Sequence, residues 1–129
     1  MRANEIGSVI KSLLLSGGDL PIMVGRKVFP IIAPPGTDGD FIVYRRTGVK
    51  PAYTKDRNSS GDTATVEILV VSDEYARSVD IMNAVFVALQ NKSGVIESID
   101  IDGIQMVDSE EEFQDDMYIQ NMTFEIEIY

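Results

Sequence analysis

The chain contains neither cysteine nor histidine in its 129 residues. Thiolate nucleophiles, Ser-His pairs, disulfides and ordinary zinc sites are therefore excluded. No Walker-type glycine loop and no dinucleotide fingerprint occurs. Aromatic residues make up 8% of the chain, too few to suggest the sugar-stacking cleft of a paired-carboxylate hydrolase. No apolar run is long enough to span a bilayer, and the first residues lack the basic, apolar and small-residue pattern of a secretion signal. The expectations are synthesis in the cytoplasm, no membrane partner, no cofactor and no enzymatic activity, since no activated nucleophile can be named.

Charge is present but unevenly placed. Through Lys92 there are 11 basic and 10 acidic residues, and beyond it 11 acidic and none basic. The first part carries +1 and the second −11, giving the chain its −10. Such a balance disfavours direct nucleic-acid binding, which relies on clustered Lys and Arg to displace counterions. The acidic set Asp100, Asp102, Asp108, Glu110, Glu111, Glu112, Asp115 and Asp116 invites a hard cation, yet Asp100-Ile101-Asp102-Gly103 lacks calcium-loop spacing and its closing glutamate. A solvated acidic turn is the simpler reading, with no metal.

By length this is one domain, residues 1–129. Ile6, Val9, Ile10, Leu13 and Leu14 recur at helical spacing and predict a helix over about 3–15, stopped by Gly17 and Gly18. Val28 to Ile32 reads as a strand with Phe41 to Thr47 as its partner. Residues 48–61 read as a loop or long flexible hairpin tip. Thr63 to Val71 alternates as a strand with one face on the core. Ser72 is the expected N-cap of a second, longer helix, whose core stripe is read as Tyr75, Val79, Met82, Phe86 and Leu89. Val95 to Ile101 reads as one strand and Ile104 to Val107 as its continuation past a break at Asp102-Gly103. Residues 108–116 follow as an acidic turn, and Tyr118 to Ile128 closes the chain. The fold class expected is α+β, a mainly antiparallel β-sheet with two helices packed on one face.

The segment from Val24 to Tyr44 is the most informative. Val24, Gly25, Val28, Phe29 and Pro30 lead into Ala33-Pro34-Pro35-Gly36-Thr37, and Phe41-Ile42-Val43-Tyr44 leaves it. Pro34, Pro35 and Gly36 suit neither a helix nor a central strand, so the loop is preset in shape. This arrangement resembles the tail completion (tail terminator) proteins of long-tailed bacteriophages and prophages. In that family a Val-Gly-x-x-Val-Tyr/Phe-Pro strand precedes an Ala-Pro-x-Gly-Thr loop and a Pro/Phe-Ile-Val-Tyr strand. The order of parts matches over nearly the whole chain, with two departures: Phe29 where Tyr is frequent, and Asp40 before Phe41 where Pro is common.

The resemblance implies a non-enzymatic virion protein that forms a ring, commonly a hexamer, on the last layer of the tail tube. It would end tube growth and present a surface to the head connector. The implied partners are copies of itself, the tail tube protein and head-tail connector proteins. In such a ring DNA would pass through without specific binding. The implied location is the virion tail, after the host bacterial cytoplasm.

The charge split adds a physical argument. Rings use heterologous contacts, and opposite potentials orient such docking. Arg45, Arg46, Lys50, Tyr53, Lys55 and Arg57 form the candidate basic side, with 48–61 reaching a neighbouring subunit or tube layer. Glu110, Glu111 and Glu112 are the candidate acidic side, at a channel where DNA should meet repulsion. Alternatives are another connector or neck component, or a cytoplasmic small-molecule-binding α+β domain, favoured by a large apolar pocket and a monomeric state.

Overall fold

The computed structural model describes residues 2–52 and 61–129. A single 3-10 turn, Arg2–Glu5, leads into α1, Ile6–Leu15. Ile6, Val9, Ile10 and Leu14 are buried, as their spacing predicts, and Leu13 packs half-buried beside them. The short α2, Leu20–Val24, has Pro21 in its first turn and ends at Gly25, whose φ of 63° suits glycine alone among ordinary residues. It occupies what the sequence presents as a plain loop.

Among the described residues six strands form one sheet, in the order β1-β2-β3-β6-β5-β4. They are β1 Val28–Pro30, β2 Phe41–Lys50, β3 Asp62–Ser72, β4 Gly94–Ile96, β5 Ile99–Gln114 and β6 Met117–Ile128. All neighbours are antiparallel except β1 and β2, which pair in parallel through Val28↔Ile42 to Pro30↔Tyr44. The α+β expectation holds: α3, Tyr75–Leu89, and α1 contact each other and one face of this sheet. The core is almost wholly aliphatic, with Ile42, Val66, Ile68, Val70, Met122, Phe124 and Ile126 meeting Ile6, Ile10, Ile81 and Val85.

Several boundaries differ from the sequence reading. The strand read as Val28 to Ile32 stops at Pro30, because Ile31 takes a left-handed φ of 69°. Ser72 ends β3 rather than capping α3; its Oγ accepts the Glu74 N–H at 3.2 Å, and the helix starts at Tyr75. The buried row of α3 is Ser78, Ile81, Val85, Ala88 and Leu89, not Tyr75, Met82 and Phe86. Tyr75 and Phe86 are exposed and Met82 is half-buried. Apolar residues surround most of this helix, so spacing alone does not choose the row. The smaller row with Ser78 and Ala88 lies inward, which lets the helix approach closely.

Val95 to Ile101 is two strands, folded back at Glu97-Ser98, both with positive φ. The break at Asp102-Gly103 is a bulge within one long β5. Residues 108–114, read as an acidic turn, are strand: Asp108 to Gln114 pair with Thr123 to Met117. Only Asp115-Asp116 turns, at φ values of 54° and 63°. The β2–β3 connection is also shorter than the expected 48–61 loop, since Gly48, Val49 and Lys50 pair with Thr65, Ala64 and Thr63. Asp62 Oδ1 accepts the Ala52 N–H at 3.0 Å beyond the last pair. Residues 53–60 lie outside the described residues.

Two consecutive left-handed residues in a two-residue hairpin suit Asn-Gly far better than Asp-Asp. Replacing Asp115-Asp116 by Asn-Gly is expected to stabilise the protein by about 1 kcal/mol, by removing backbone strain and repulsion at an acidic tip. Urea denaturation of the double variant checks this.

Candidate functional site

The registers place every strand residue on one of two faces. Ile42, Val70, Gln120 and Glu111 share a row on the helix-covered face. Among the described residues no helix covers the opposite face. Its rows run Phe41–Val71–Ile119–Glu112, Val43–Leu69–Asn121–Glu110, Arg45–Glu67–Thr123–Asp108, and finally Lys50–Thr63–Glu127–Gly103. One corner of this open face is apolar, with Phe29 and Phe41 rings 6.4 Å apart. The remainder is charged, with Glu67, Asp108, Glu110, Glu112, Glu125 and Glu127 outnumbering Arg45 and Lys50. Asn121 Oδ1 is buried on this face with no hydrogen-bond partner among the described residues.

The two predicted charge clusters stand at opposite corners of the sheet. Arg45, Arg46 and Lys50 occupy the far half of β2; Glu110, Glu111 and Glu112 occupy the far half of β5. Three strand spacings, roughly 14 Å, separate β2 from β5, and the Lys50 row lies roughly 25 Å along the strands from the Glu111 row. Alternation splits each cluster between faces. Arg45, Lys50, Glu110 and Glu112 stand on the open face, while Arg46 and Glu111 stand on the helix side. Arg45 makes a 3.5 Å ion pair with Glu67, and Arg46 Nη1 donates to Asn4 Oδ1 beside the N-terminal turn. Tyr53, Lys55 and Arg57 lie outside the described residues.

Glu111 differs from its neighbours. It accepts hydrogen bonds from Gln120 Nε2 at 3.0 Å and from the Tyr75 hydroxyl at 2.8 Å. Gln120, almost fully buried, also donates to Ser78 Oγ at 3.2 Å, which ties the acidic hairpin to α3. Tyr118 packs edge-on against Tyr75 and tilted against Phe113 at this end, with centroids 5.5 Å and 4.9 Å apart. So Tyr75, read from sequence as core, is a surface clamp. The hydrogen bonds from Gln120 and Tyr75 hold the Glu111 carboxyl below its usual range, and the same contact raises the Tyr75 hydroxyl.

The sign of the pH effect follows. A lowered carboxyl contributes stability above its ordinary value of 4.5 that is lost as pH falls through the folded value. A raised phenol contributes below its ordinary 10.0 and loses that as pH rises through the folded value. Glu111→Gln should flatten stability against pH on both limbs, whereas Tyr75→Phe should flatten the alkaline limb and only part of the acid one, where the Gln120 bond remains. Denaturation midpoints across pH measure this.

Sequence reasoning missed a second ion pair. Arg77 Nε donates to Asp40 Oδ2 at 2.6 Å, joining α3 to the end of the proline loop. Asp40 is buried here and fixes the entry to β2. Ile31 N–H bonds to Tyr44 O at 2.8 Å, so the strained Ile31 is held at the edge of the sheet with its side chain exposed. A left-handed β-branched residue costs on the order of 1–2 kcal/mol and persists only where its surroundings impose it.

A groove of about 690 Å³ lies between α1, α2 and α3, bordered by Leu13, Met23, Ala84 and Val87 with Asp80 and Lys92 also lining it. Among the described residues no cluster of acidic side chains is arranged to hold a metal ion, and no helix is long and apolar enough to cross a membrane.

No family model matches the chain, and no curated protein matches it. Among solved structures, it is similar to a chain in the virion of a native gene transfer agent (GTA) particle. The TM-score is 0.80 at 21% identity, covering 93% of this chain and 91% of that one. At that identity the likeness is one of fold.

Proposed function

We propose that this chain is a non-enzymatic phage structural protein: a tail terminator that forms a hexameric ring on the tail tube, ends its growth and presents a surface to the head connector. The observation that carries the reading is the fold shared, over 93% of this chain and 91% of that one, with a chain of a virion particle. The Val24-to-Tyr44 pattern, which resembles the tail completion family, agrees with it. So does a helix-free sheet face rich in carboxylates, which suits a channel that DNA traverses without adhering. In this reading the open face lines the lumen and the helices lie outside.

The test is electron microscopy of the purified protein, alone and with polymerising tail tube protein. Six-fold rings, and tubes capped and limited in length, are expected. Tubes that grow unchecked beside unattached protein would contradict the reading. A small-molecule-binding domain is the second reading, because of the groove between the helices. It requires a monomer with a ligand seated against Met23 and Val87.

A further inference from the structure

Both outer strands of the sheet are too short for the strands they cover. β1 pairs with β2 only from Ile42 to Tyr44, and the last bond on that side is Ile31 N–H to Tyr44 O. From Arg45 to Lys50, no strand lies on the outer side of β2 among the described residues. On the opposite edge, β4 pairs with β5 only from Ile99 to Ile101. Gln90 and Asn91 then cover the next stretch, through Asn91 N–H to Ile104 O and Met106 N–H to Gln90 Oε1. From Val107 to Gln114 no described strand flanks β5 on that side.

A bare strand edge is a template for another strand, and proteins that avoid such pairing place charge along it. Here the two bare edges carry opposite signs. Arg45 and Lys50 stand on the open face of one, and Asp108, Glu110 and Glu112 on the open face of the other. Like charge therefore opposes pairing of β2 with β2 or of β5 with β5, which would give a closed two-fold dimer. Unlike charge permits β5 of one copy to meet β2 of the next. That contact is heterologous, the kind from which rings are built.

We infer that the bare edge of β5, Asp108 to Gln114, pairs antiparallel with the bare edge of β2, Arg45 to Lys50, of a second copy of this chain. This extends the ring reading above and rests on it for closure. Directions agree, since β2 and β5 run oppositely within the sheet. In a continued sheet the open-face side chains of both edges stand on the same side, about 5 Å apart across strands. The exposed halves lie at opposite ends of the sheet, so successive copies are staggered along the strands. Neither β1 nor β4 then obstructs the contact. Stagger and tilt are what closing a sheet requires. Each bare edge also adjoins a bulge, at Arg46/Gly48 and at Met106/Asp108, a device that bends strands at barrel rims.

The test uses two charge-reversed proteins, Arg45→Glu/Lys50→Glu and Glu110→Lys/Glu112→Lys. Each alone meets only like charge and should assemble roughly a hundredfold more weakly than the parent by light scattering. Mixed in equal amounts, they should regain the parent's mass as an alternating assembly. Lys50→Glu alone spares the Arg45–Glu67 pair and should weaken assembly by about tenfold. Circular dichroism and thermal melting confirm that each variant is folded.

Parent-like assembly of either double variant alone would overturn the pairing, as would a folded mixture that stays monomeric, or a monomeric parent. Rings that persist in both double variants would remove the edge contact yet leave the terminator reading standing. Assembly rescued in the mixture, by a parent that never caps a tube, would do the reverse.

Discussion

Phe124→Ala should lower the unfolding free energy by about 3–5 kcal/mol, the largest stability loss expected of a single truncation here. Phe124 is fully buried, and it is the largest side chain so placed. It sits on β6, flanked by β3 through Val66 and by β5 through Met106, on the face that receives the helices. The surrounding core comes from three strands and two helices, so collapse around the lost ring would have to shift several elements together. A domain of this size has a total stability on the order of 5–15 kcal/mol, so the variant should lie close to unfolding. Thr123→Ala, one residue away on the open face, should change stability by less than about 1 kcal/mol. Equal effects from the two in urea denaturation would mean that the face assignment is wrong.

Deleting residues 53–60 is expected to leave the fold intact and disable assembly. The segment lies beyond the Lys50↔Thr63 pair and beyond the Ala52 contact with Asp62. Loop-closure entropy changes slowly with length, so stability should move by less than about 1 kcal/mol. The deletion removes Lys55 and Arg57, two cations of the proposed basic interface. Exposed ion pairs contribute about 0.2–1 kcal/mol each, so every intersubunit contact should weaken by about tenfold, and a ring compounds that loss over its contacts. Sedimentation of the shortened protein against the parent measures this. Unchanged assembly would remove the segment from the interface.

Much of the fold is legible where one periodicity has one explanation. The alternation at Ala64, Val66, Ile68 and Val70, and at Met122, Phe124, Ile126 and Ile128, identifies two central strands because only one face meets the helices. The acidic stretch from Asp108 to Gln114 has no such signal. It extends past most of the helix cover with both faces exposed, so its strand conformation comes from pairing with β6 rather than from its own composition. In α3, Ile81 and Val85 compete with Met82 and Phe86 for the inward position, and contact with the sheet decides. The opposite charges of the candidate site are visible in the sequence. Their location on two uncovered edges is not, because that depends on how far β1 and β4 extend along their neighbours.

The central claim, a ring assembled through opposite charge, is tested most directly by light scattering over protein concentration from low to high salt. At low salt the account requires a species about six times the 14.3 kDa of one chain, shrinking as added ions screen the contact. A strict monomer under every condition would contradict it.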